Sequence, residues 1–117
     1  MTDHGRWYLQ SEDLKDLSPQ KARDLIIKCF FEAQKETFKR AKQKFGKASD
    51  DSDILQRITS VVKLTFQQIN GDFDQPTKET LIKVIERLAA ISASWGTPED
   101  IIEHHKKQIE RVLSQLA

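Results

Sequence analysis

Ser94-Trp95-Gly96-Thr97-Pro98-Glu99-Asp100 ends one helix and begins the next within seven residues. Gly96 supplies a left-handed stop that residues bearing a Cβ adopt only at a cost. Thr97 offers a hydroxyl to a free backbone N–H, and Pro98 sits in a first-turn position where its missing N–H costs nothing. Glu99 and Asp100 place carboxylates at the positive end of the new helix dipole. A turn this tight makes the two helices antiparallel neighbours, the repeating unit of a bundle.

Downstream of the turn, Ile102, Ile109, Val112, Leu113 and Leu116 keep three-and-four spacing and predict a helix over 98–116. Upstream, Leu81, Val84, Ile85, Leu88, Ile91 and Trp95 mark one face of a helix over 77–95, entered near Pro76 or Thr77 from the turn sequence Gly71-Asp72-Phe73-Asp74-Gln75-Pro76. Asn70-Gly71 closes a helix over 52–69, capped by Asp50, Asp51 or Ser52, with Ile54, Ile58, Val61, Val62 and Ile69 inward and Leu55 and Phe66 flanking. Ser18-Pro19 opens the longest helix, 19–45, which Gly46 stops before a polar loop over 47–53. No run alternates with period two, so strands have no foothold. The expectation is an all-α fold: a four-helix up-down-up-down bundle in one domain over 1–117.

The first helix has more apolar surface than one bundle seam needs. Ala22, Leu25, Ile26 and Cys29, continued by Ala33, form a second face beside Ile27, Phe30 and Phe31. A seam covers one stripe, so another element must cover this one. The segment before it carries Trp7, Tyr8, Leu9, Leu14 and Leu17, with Ser11 placed to cap a short extra helix over 11–17. This N-terminal arm is expected to fold back onto the first helix; the alternative is docking on another subunit.

Composition bounds function more than it assigns it. Nineteen Lys and Arg against eighteen Asp and Glu leave a formal charge of +1, so no global field selects nucleic acid or anionic lipid. No stretch approaches the ~20 apolar residues of a membrane span. The opening Met1-Thr2-Asp3-His4-Gly5-Arg6 is not followed by the apolar run of a secretion signal, and one cysteine allows no intrachain disulfide. A cytoplasmic protein is expected.

Each candidate chemistry is incomplete. His105 lies on the inward stripe of the last helix, but the Glu-x-x-His pattern of di-metal bundles fails, because Ile101 and Ile102 stand three residues before His104 and His105. Cys29 lies among Ile26, Phe30 and Ala33, surroundings that raise a thiol pKa and favour a buried hydrophobe over a nucleophile. Asn70, Asp72 and Asp74 alternate as in a calcium loop, yet Gln75 and Leu81 occupy the places that need Gly and Glu. Over 35–47, Lys35, Lys39, Arg40, Lys42, Lys44 and Lys47 face one acid, Glu36, but they flank both sides of the apolar stripe and suit a helix C-terminus.

No cofactor is implied. By elimination the chain reads as a small helical protein–protein interaction module without catalytic activity, partnered by another protein or by a second copy. Its expected surface is Trp7, Tyr8 and Leu9 with Leu25, Ile26 and Cys29. A nucleic-acid accessory protein using Lys35, Lys39, Arg40, Lys42 and Lys44 is the second reading. A metal-binding or enzymatic bundle around His105 is the third.

Overall fold

The computed structural model describes residues 7–45 and 51–116, with side chains described over 7–40 and 52–116. Four α-helices follow a short 3-10 helix, Ser11–Leu14: α1 Pro19–Phe45, α2 Asp51–Gln68, α3 Lys78–Ser94 and α4 Glu99–Gln115. There is no strand among the described residues. The Gly46 stop, residues 47–50 of the expected loop and the Asp50 cap lie outside the described residues, while 51–53, expected in that loop, already belong to α2.

Each helix packs on its neighbours in chain order, and α4 closes the ring on α1 through the most extensive helix contact among the described residues. At 1.5 Å per residue α1 spans about 40 Å, which matches the 41 Å long axis. The interior is filled by large side chains at or below 1% exposure, among them Ile26, Val62, Phe66, Leu81, Val84, Ile101 and Val112. Burying each such side chain contributes about 1.5–3 kcal/mol.

Local chemistry fixes the helix ends. The Lys21 N–H donates to Ser18 Oγ at 3.1 Å, so Ser18 caps α1 ahead of Pro19. The Thr80 N–H donates to Thr77 Oγ1 at 3.2 Å while the Thr77 N–H donates to Thr80 Oγ1 at 2.9 Å, a reciprocal cap on α3. Between α2 and α3, Asp72 Oδ1 accepts from the Asp74 and Gln75 N–H groups, so this carboxylate serves the turn itself.

The turn that decides the fold differs in detail from its sequence reading. Gly96 does take φ +81°, and the Thr97 N–H donates back to Ser92 O at 3.1 Å, closing α3. Thr97 does not cap α4. It is buried, and its Oγ1 accepts from Gln34 Nε2 on α1 at 3.3 Å, while α4 starts after Pro98 with no side-chain cap. Trp95, expected inward, is 47% exposed at the C-cap of α3, one residue before the chain turns at Gly96. Phe66, expected at the flank of α2, is central, with Phe73 edge-on at 5.6 Å between ring centroids.

The arm folds back within the chain, as expected. Leu9 belongs to the same buried cluster as Ala22, Ile26 and Cys29, and the groups that hold its backbone are on α4. The expected 11–17 helix is a single 3-10 turn, in which the Gln10 N–H donates to Asp13 Oδ2. It ends at Leu14, and two residues on Asp16 takes φ +51° ahead of α1.

Candidate functional site

The face of α4 that meets the arm carries His104, Gln108 and Arg111, at i, i+4 and i+7, so one helical stripe presents three polar side chains in a row. Each meets backbone. Gln108 Oε1 accepts from the Leu9 N–H at 3.0 Å, and Arg111 Nη1 donates to Leu9 O at 2.9 Å and to Gln108 Oε1 at 2.9 Å. His104 Nε2 lies 2.8 Å from Trp7 O and, as the carbonyl can only accept, donates to it. Both backbone polar groups of Leu9 are therefore satisfied by side chains of α4, and a buried Gln at 5% exposure is satisfied in return.

The side chains of the arm alternate as an extended segment requires. Leu9 is 3% exposed and Trp7 half-buried, while Tyr8 between them is 41% exposed. Trp7 stacks on His105, with centroids 6.1 Å apart and planes at 11°. Tyr8 meets the edge of His104 at 4.7 Å, and His104 meets His105 edge-on at 4.9 Å. His105 is buried, with Nε2 3.8 Å from Glu36 Oε1 across the α1–α4 contact.

An ion cluster lies on the same seam. Arg40 reaches both oxygens of Asp100, at 2.9 and 2.6 Å, and Glu36 Oε2 at 3.1 Å, tying α1 to the first turn of α4. The hydrogen bond to Asp100 is the largest cause holding the Arg40 guanidinium above its ordinary pKa, with charge attraction to Asp100 and Glu36 adding to it.

Of the residues read as an interaction surface, Leu9, Ile26 and Cys29 are core, Leu25 and Trp7 are half-buried, and Tyr8 is open. Burial pushes the Cys29 thiol up to about 12, and the nearby Glu32 charge adds to the rise. Of the residues read as phosphate contacts, Arg40 is held by Asp100 and Glu36. Lys35 lies 3.9 Å from Glu32 and over the Phe31 ring, and Lys39 is exposed. Lys42 and Lys44 stand in the last turns of α1, where side chains are outside the described residues. Among the described residues no three His, Cys, Asp or Glu side chains converge as a metal-ligand group. None of the described helices is long and apolar enough to cross a membrane.

Gln108 and Arg111 are the site residues that sequence reading missed. The signal was there: Gln108 follows Ile101 by seven and precedes Val112 by four, a polar residue inside an apolar stripe.

No family model, curated protein or solved structure matches this chain.

Proposed function

We propose that this chain is a small helical protein-interaction module that acts without catalysis, and that its recognition element is the groove along α4 now filled by Trp7-Tyr8-Leu9. The observation that carries this reading is the two-sided grip on Leu9: Gln108 takes its N–H and Arg111 its C=O. Such a grip reads backbone, which any extended peptide presents, and leaves selection to the alternate side chains that point inward. Those are an aromatic residue stacking on His105 and a leucine entering the core, two residues apart. The preferred ligand is an extended aromatic-x-Leu segment. A lone cysteine kept as a buried thiol suits a reducing compartment such as the cytoplasm.

A fluorescent peptide with the sequence of residues 5–14, titrated by anisotropy, tests this. The Leu9→Ser chain, whose own arm seats poorly, should bind it more tightly than the parent chain, and adding Arg111→Ala should weaken that binding on the order of tenfold. If the Leu9→Ser chain keeps its helical circular dichroism and shows no binding, the groove is not a peptide site.

A further inference from the structure

We infer that the groove on α4 accepts the Trp7-Tyr8-Leu9 segment of a second copy of this chain, so that two copies exchange arms about a two-fold axis. This rests on the peptide-reading groove proposed above and adds the identity of one occupant. Three observations favour a second copy. The hydrogen bonds that seat the arm end on Trp7 and Leu9, so an arm arriving from another chain reproduces each of them. The 3-10 helix that follows, Ser11–Leu14, has no fully buried residue, so the apolar groups the arm packs on the core are Leu9 with the part-buried Trp7 and Leu14, and an exchanged arm brings the same three.

The third observation is the hinge. Lys15 is extended, with φ −80° and ψ 140°, and Asp16 then turns back with φ +51°. A left-handed backbone costs a residue with a Cβ, Asp less than most, and an exchanged form with an extended hinge would be free of that cost. In an exchanged pair the chain runs on through 15–18, and Asp16 returns to negative φ. Short strained hinges favour exchange for this reason. Two-fold closure fills both grooves and leaves neither core open. The bond from Lys21 Nζ to Lys15 O, 2.8 Å and exposed, opposes opening only weakly.

The test uses the full chain with Cys29→Ala, Tyr8→Cys and His104→Cys, positions whose native rings are 4.7 Å apart. Losing His104 removes the same seat from closed and exchanged forms alike. A short bis-maleimide bridges the two thiols, and denaturing mass spectrometry separates bridges within a chain from bridges between chains. Interchain bridges should rise with protein concentration. Adding Asp16→Pro, which cannot take the left-handed φ, should raise them on the order of tenfold, and Asp16→Gly should lower them about fivefold. Asp16→Ala, which strains the hinge without fixing φ, is the second variant if the proline chain does not fold. Intrachain bridges alone at every concentration, in a folded Asp16→Pro or Asp16→Ala chain, overturn the inference. So does a dimer by light scattering whose bridges stay within each chain. A chain that binds the 5–14 peptide yet never exchanges loses this inference and keeps the groove; one that does neither loses both.

Discussion

Cys29 illustrates how burial converts a reactive residue into a structural one with a measurable signature. Its unfolded thiol ionises near the ordinary value of 9.0, whereas in the native chain it stays protonated up to about 12. Below pH 9 both states hold the proton and no stability is at stake. As pH rises from 9 toward 12 the unfolded state alone releases it, so the native state loses about 1.4 kcal/mol per pH unit relative to a chain with no thiol. Cys29→Ala should therefore be less stable than the parent at pH 7, by about 1 kcal/mol of lost packing, and should become the more stable of the two near pH 10–11. Urea melts of both chains from pH 7 to 11 measure this, and parallel curves would show that the thiol is not held in its buried form. Native-state alkylation should be correspondingly slow, because the thiolate forms only on opening.

At the scale of elements, two glycines make opposite predictions from the same substitution. Gly96 has φ +81° and open space where a Cβ would stand, so Gly96→Ala costs only the backbone term, about 1 kcal/mol. Gly71 has no such φ, but a Cβ there would meet Phe66 Cδ1 at 3.2 Å and Thr80 Cγ2 at 3.3 Å, so Gly71→Ala presses on a core ring and a helix cap. Thermal melts should show Gly96→Asn rescuing part of the Gly96→Ala loss, since Asn tolerates left-handed backbone, while Gly71→Asn is worse than Gly71→Ala. Equal losses in all four would contradict the distinction.

The same elements show what was readable in advance. Helix ends set by local chemistry, such as Ser18-Pro19 and Thr77 with Thr80, stand where caps and apolar spacing put them. Thr97 misled because a hydroxyl that can cap is also one that can pair, and Gln34, sixty-three residues away, took it. The groove was half legible for a related reason. Gln108 stands out as a polar residue inside an apolar stripe, but Arg111 reads as solvated face, and only the return of a segment about a hundred residues upstream makes both of them ligands for backbone.

The whole molecule then divides into a ring of four helices closed by the α1–α4 contact and an arm that seals one seam of it. Leu9 ties the two together, since its side chain is core while its backbone is gripped from the surface. Removing the side chain and removing the grip should differ. Leu9→Ala leaves a cavity and should cost about 2–4 kcal/mol of global stability, a fall in Tm of roughly 8–20 °C. Gln108→Leu leaves the Leu9 N–H unsatisfied and should cost about 1–3 kcal/mol, with its effect concentrated on the arm. Native-state hydrogen exchange separates the two. In the parent chain the Leu9 amide should exchange through a partial opening with a denaturant slope well below the global one, because lifting the arm uncovers Leu9 and its packed neighbours but leaves the four helices together. Amides of Ile26 and Ile109 should wait for global unfolding and follow its full denaturant slope. Gln108→Leu should lower the Leu9 barrier while those two keep the slope of the parent. If the Leu9 amide instead shares the global slope from the first addition of denaturant, arm and ring open as one unit. The groove would then never be free for any other segment.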